Sequence, residues 1–180
     1  MRIIGGDLAG RRIRPPSRMP HTRPTTDLAK EGLFNILQHQ LEFRGLRTLD
    51  LFGGTGSISY ELASRGAVDL TVVERDLGMA AYIERTASEL KLSGLRVVKY
   101  DALRFLREAT GPYDFVFAGP PYAFPDIGSL PDLIADRSLL GAGGWFVLEH
   151  SPRDQFESYR GFAQSRNYGS TFFSIFVNPR

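Results

Sequence analysis

Three acids close three apolar runs. Asp50 follows Thr48 and Leu49, Glu74 follows Val72 and Val73, and Asp101 follows Val98, Lys99 and Tyr100. Between the first two lies a glycine-rich turn, Phe52-Gly53-Gly54-Thr55-Gly56-Ser57. Gly54 and Gly56 let backbone approach a ligand closely, and a helix opening after them presents free N–H groups. A dinucleotide turn needs a third glycine, G-x-G-x-x-G, to seat a pyrophosphate. Counting from Gly54, Ser59 stands in that place; counting from Gly53, Thr55 already replaces the second glycine. Asp50 ahead of the turn would repel a pyrophosphate but suits a cation, such as the amino group of a methionine moiety. Glu74 can accept from both hydroxyls of a ribose, and Asp101 from the exocyclic amine of an adenine. Any one of these acids could instead be a helix N-cap. Three of them opening on one crevice, around a glycine turn, point to a ligand.

A second constellation follows the run 114–118. Gly119, Pro120, Pro121 and Tyr122 form a loop stiffened by two prolines. Such a loop can hold carbonyls toward a substrate, and Tyr122 can stack on an unpaired base. The competing reading is a structural turn with a packed tyrosine. Glu149 ends another apolar run and reads as a cap or a site acid. His21, His39 and His150 have no ligand spacing, and cysteine is absent, so no metal site and no disulfide are expected. Ser57 and Ser59 have no nucleophile motif around them.

The elements that would position these groups follow from patterning. Strand-like runs at 47–51, 70–74, 95–99, 114–118 and 145–149 alternate with helical stretches near 57–65, 77–91, 101–109 and 127–139, the last interrupted by Pro131. Strands separated by helices imply βαβ units and a parallel sheet. The β-rich run 171–177, preceded by Tyr168-Gly169, suggests a closing antiparallel hairpin. Ahead of the core, residues 1–14 read as a hairpin within a basic segment 1–25, extended by its prolines, and 26–43 as an amphipathic helix capped by Thr25 or Thr26. The expected architecture is one domain over 1–180, with a Rossmann-like core at 47–180.

Length, 180 residues, suits one domain, and 42% apolar content supports a core. The net charge of +2 is unevenly placed. Residues 1–23 hold six arginines (Arg2, Arg11, Arg12, Arg14, Arg18 and Arg23) against Asp7, a local +5, which leaves the rest at −3. Clustered arginines pair with phosphates and release counterions from nucleic acid. Arg11, Arg12, Arg14 and Arg23 are therefore the candidate RNA contacts. No run approaches the roughly 20 apolar residues of a membrane helix, and the N-terminus has no apolar signal core. A cytoplasmic protein with no membrane partner is expected.

The chain resembles the RsmD family of 16S rRNA guanine-N2 methyltransferases over nearly its whole length. The resemblance is carried by Arg2-Ile3-Ile4-Gly5-Gly6, Gly10-Arg11-Arg12-Ile13, Arg23-Pro24-Thr25-Thr26-Asp27, Lys30-Glu31-Gly32-Leu33-Phe34-Asn35-Ile36-Leu37, the turn 49–56 and Pro120-Pro121-Tyr122. It implies an S-adenosylmethionine-dependent methyltransferase fold, with a mostly parallel seven-stranded sheet and a C-terminal antiparallel hairpin. It implies S-adenosylmethionine as cofactor, S-adenosylhomocysteine as product, and a monomer acting on 16S rRNA or an assembling small subunit. Asp50, Phe52, Gly54, Gly56, Glu74 and Asp101 match its cofactor site; Gly119, Pro120, Pro121 and Tyr122 fall on its catalytic loop. At 119 the family carries aspartate and this chain glycine, so the acceptor for the target amine is left to backbone carbonyls or another group. A DNA adenine methyltransferase, and an rRNA-binding or assembly module with weakened turnover, are the alternatives.

Overall fold

The computed structural model describes residues 1–19 and 24–180. Its elements are α1 (Asp27–Leu37), β1 (Arg47–Asp50), α2 (Ser57–Ser64), β2 (Asp69–Val73), α3 (Leu77–Glu89), β3 (Leu95–Val98), α4 (Ala102–Glu108), β4 (Tyr113–Ala118), a 3₁₀ turn (Ile127–Ser129), α5 (Leu130–Asp136), β5 (Leu140–His150), β6 (Phe162–Tyr168) and β7 (Thr171–Val177). The strands form a seven-stranded sheet in the order β3-β2-β1-β4-β5-β7-β6. β1 to β5 run parallel, and β7 enters antiparallel between β5 and β6. This is the expected Rossmann-like methyltransferase fold with its closing hairpin.

β1 pairs with β2 on one side and β4 on the other, so the strand order reverses there. The loops leaving β1 and β4 part in opposite directions and open a crevice at their carboxyl ends, where doubly wound sheets bind ligands. The glycine turn and the Pro-Pro loop are those two loops.

Alternation along β4 covers both faces. Phe115 and Phe117 pack with Leu33, Phe34, Leu37, Ile58 and Leu62 of α1 and α2. Val116 and Ala118 pack with Leu106, Leu130 and Ile134 of α4 and α5. Burial on both faces explains why the central strands read as continuous apolar runs. Pro131 falls in the first turn of α5, where its missing N–H costs nothing, so it starts the helix instead of breaking it.

The helix expected over 26–43 is shorter. Thr26 caps it, accepting from Ala29 N at 3.2 Å, and it ends at Leu37 with Gln38 as C-cap. The chain must turn there because Phe43 folds back onto Phe34, ring centroids 5.9 Å apart. Leu41, which continues the apolar spacing of α1, thus lies beyond its end. The N-terminal hairpin is also reduced, to one bridge between Arg2 and Arg12. Bonds from Ile3 N to Arg11 O and from Gly10 N to Ile3 O flank it. Ile3 and Ile13 turn inward onto Tyr60 and Met79, while Arg11, Arg12 and Arg14 face solvent.

What docks that hairpin is a buried polar cluster on α2. The Glu61 carboxylate accepts from Ile4 N and Gly5 N, each at 2.8 Å, and from Arg65 Nε at 2.9 Å. Lys30 Nζ lies 3.4 Å from Glu61 and donates to Arg2 O at 2.6 Å and Ser57 Oγ at 3.0 Å. Both charges are sealed from water, Lys30 at 1% and Glu61 at 0% exposure. Burial pulls the Lys30 pKa below its ordinary value, against the opposing pull of Glu61.

Candidate functional site

The crevice at the switch point is a cleft of about 360 Å³, within the range of small-molecule sites. Its lining brings together Asp50, Phe52, Gly54, Glu74, Asp101, Gly119, Pro120 and Pro121. Asp50 ends β1 and the other seven come from the loops after β1, β2, β3 and β4, and convergence of that kind is what the parallel sheet provides.

Each acid is held differently. Asp50 is buried, accepting from Phe52 N at 3.3 Å and Ser59 Oγ at 3.2 Å. Burial raises its pKa to about 7, against the lowering effect of those two bonds. Glu74 is fixed by backbone: Gly54 N donates to Oε2 and Asp76 N to Oε1, both at 2.8 Å. The glycine turn therefore positions the carboxylate of the next strand, leaving its remaining lone pairs toward the cleft. Asp101 does both jobs weighed for it, capping α4 through Arg104 N at 3.0 Å while lining the cleft.

The glycines divide the work. Gly54, at φ +55, takes a conformation that side chains disfavour and brings its N–H to Glu74. Gly56, at φ +77, caps α2 and lies against Tyr60, where a Cβ would meet the ring. It shapes the turn without lining the cleft. Phe52 meets Phe124 edge to face at 5.3 Å, and the two make an apolar wall. Tyr122 also stands outside the lining; its hydroxyl is 3.5 Å from Thr171 Oγ1 at the β6–β7 turn. Arg11, Arg12 and Arg14 are exposed on the hairpin and do not line the cleft. Arg23 and His21 lie outside the described residues.

Two groups at the cleft were not singled out from the sequence as site residues. Thr25 lines it, just before α1, and donates through Oγ1 to Glu149 Oε2 at the end of β5. Glu149 is 5% exposed. Ser57, the first residue of α2, lines the cleft and carries the Lys30 contact behind it. The pairing of Thr25 with Glu149 spans 124 residues; its only sequence signal is an acid closing an apolar run.

The donor set fits S-adenosylmethionine. A carboxylate preoriented by two backbone N–H groups suits a ribose diol, a buried acid suits an ammonium, and the aromatic wall suits a purine. A phosphate would be repelled by the same acids.

The family described as Conserved hypothetical protein 95 matches residues 1–177. An Escherichia coli (strain K12) protein named Ribosomal RNA small subunit methyltransferase D is 35% identical over 149 residues, covering 83% of this chain and 71% of that protein. A solved structure of a hypothetical protein from Thermus thermophilus superposes with a TM-score of 0.83 at 30% identity, covering 98% of each chain. The 16S rRNA N2 methyltransferase RsmC of Thermus thermophilus, solved with AdoMet and guanosine, shares the fold at a TM-score of 0.69 and 23% identity, over 86% of this chain and 44% of that one.

Proposed function

The chain belongs to the Conserved hypothetical protein 95 family, the RsmD family, and from that premise we propose that it transfers a methyl group from S-adenosylmethionine to the exocyclic N2 of a guanine in 16S ribosomal RNA. The observation that carries this reading is one cleft in which Asp50, Glu74 and Asp101 meet the Pro120-Pro121 loop. Bound there, S-adenosylmethionine supplies a methyl group already activated by its sulfonium.

The protein's task is therefore placement. Glu74 accepts from the ribose hydroxyls, Asp101 from the adenine amine, and Asp50 faces the amino group of the methionine portion. Phe52 and Phe124 keep water from one side of the cleft. Pro120 and Pro121 fix the floor on which the target base rests, and Tyr122 stands at its rim to stack on an extruded base. Arg11, Arg12 and Arg14 hold RNA phosphates outside the cleft, and Arg23 is a further RNA contact. The enzyme works in the cytoplasm and as a monomer, with residues 1–180 forming one domain, on the rRNA or the assembling small subunit.

The test is radiolabelled methyl transfer to undermethylated small ribosomal subunits, followed by nucleoside analysis of the RNA. Label in N2-methylguanosine is the expected result. Label in methylated adenine, or no label from folded protein that binds the cofactor, would remove the assignment.

A further inference from the structure

We propose that Glu149 is the acceptor that orients and deprotonates the target amine, in place of the carboxylate that residue 119 lacks. The proposal rests on the reading above, that the cleft methylates an exocyclic amine of ribosomal RNA.

The strand register brings the two positions together. β4 and β5 run parallel with Ala118 opposite Leu148, so Gly119 leaves the sheet beside Glu149, which is still within β5 and pairs with Phe173 of β7. A Cβ added at Gly119 would lie 3.6 Å from Glu149 Oε2. The oxygens of an aspartate lie two bonds beyond its Cβ, so Glu149 Oε2 stands within the region such a carboxylate would sweep. A side chain at 119 would screen Glu149 from the cleft, and a carboxylate there would set two like charges nearly in contact. With glycine at 119 one acid remains, and it stands directly behind the lining residues Thr25 and Gly119.

Thr25 holds that acid in place. Its hydroxyl donates to Glu149 Oε2, and Thr25 and Gly119 both line the cleft. A carboxylate accepts at about four lone-pair sites, so an amine N–H can add to the donors already on it, the threonine hydroxyl among them. Thr25 is thus a positioning residue and Glu149 a catalytic one. In the reaction the N2 lone pair forms the new N–C bond while the bond from that carbon to sulfur breaks, its electron pair staying on sulfur. The nitrogen gains positive charge and releases one proton, which Glu149 takes up and passes to water. A fixed acceptor near a developing charge acts most strongly where water is excluded, and Glu149 is almost wholly shielded from solvent.

The experiment compares single-turnover methyl transfer on undermethylated small subunits by the wild type, Glu149→Gln, and Glu149→Gln combined with Gly119→Asp. Glutamine keeps the shape and an acceptor for Thr25 but cannot take the proton. Glu149→Gln should slow transfer about 100-fold, the order of loss when one such group is removed. Gly119→Asp should recover about tenfold or more of that loss, which a merely structural role for Glu149 would not allow. Calorimetry should show near-wild-type cofactor affinity in all three, which certifies the fold. Independently of turnover, the wild type should bind guanosine more tightly than inosine, which lacks the amine, and Glu149→Ala should lose that preference. A Glu149→Gln rate within about threefold of the wild type, far short of the loss expected for such a group, overturns the proposal and leaves the methyltransferase reading standing. No transfer by the wild type overturns that reading first, and the proposal with it.

Discussion

Asp50 shows how one residue can couple cofactor binding to protons. In the ligand-free protein burial raises its carboxyl from 3.8 to about 7. Between those values the folded chain holds a proton that the unfolded chain has released. The associated stability is present in acid and lost as pH rises toward 7, because the unfolded state binds fewer protons there. A cationic ligand reverses the preference by favouring the ionised form. Binding of S-adenosylmethionine below pH 7 should therefore expel a proton from Asp50, and affinity should climb between about pH 5.5 and 7 and then level. Calorimetry in two buffers of different ionisation enthalpy measures the proton directly. Asp50→Asn should abolish the climb. Equal affinity at the two ends of that range in the wild type would show that Asp50 does not face the ammonium. That Asp50 lines the cleft was legible in the sequence because it precedes a glycine turn. Its displaced pKa was not, since that depends on packing that the neighbouring residues do not encode.

At the scale of elements, α2 joins the two functional halves. Its first residue, Ser57, lines the cleft, and one turn later Glu61 binds the hairpin. Glu61→Gln should be severe although it is nearly isosteric. Glutamine offers one acceptor oxygen where two backbone N–H groups and two cations converge, and its NH₂ would oppose one of those donors. Lys30 would be left buried without its counter-charge. Removal of one partner from a buried pair typically costs about 3–5 kcal/mol, and denaturant unfolding should read a loss in that range. A loss within the roughly 0.5 kcal/mol scatter of surface substitutions would show the pair to be dispensable. The sequence announces α2 as a helix after glycines, and it announces β1 to β5 as apolar runs, because both are local patterns. It does not announce that Glu61 reaches Ile4 across 57 residues. Nor does periodicity stop α1 at Leu37: Leu41 continues the apolar spacing, and only the return of Phe43 to Phe34 ends the helix. What the sequence withholds in each case is a long-range contact that overrides a local preference.

Across the whole molecule, the proposed cofactor and RNA surfaces differ in charge and in anchoring. The cleft is lined by acids, while residues 1–23 carry +5 against −3 for the rest. Ile3 and Ile13 are buried against α2 and α3, which leaves Arg11, Arg12 and Arg14 pointing outward from a hairpin already pinned by Glu61 and Ser64. Ser64 Oγ accepts from Leu8 N at 2.9 Å and donates to Gly5 O at 2.6 Å, so both sides of the hairpin turn are tied down. A rigid basic surface has less conformational entropy to lose on meeting RNA than a loose basic tail would. The triple change of Arg11, Arg12 and Arg14 to glutamine should therefore weaken small-subunit RNA binding and make its salt dependence shallower, by up to about one unit of log–log slope for each phosphate no longer neutralised. Cofactor affinity should stay within experimental error, because none of the three side chains lines the cleft. Filter binding across a salt series, with parallel calorimetry, separates the outcomes. An unchanged slope would mean that the arginines only solubilise the hairpin. A fall in cofactor affinity along with RNA affinity would mean that the hairpin, through Lys30 and Ser57, also sets the geometry of the glycine turn.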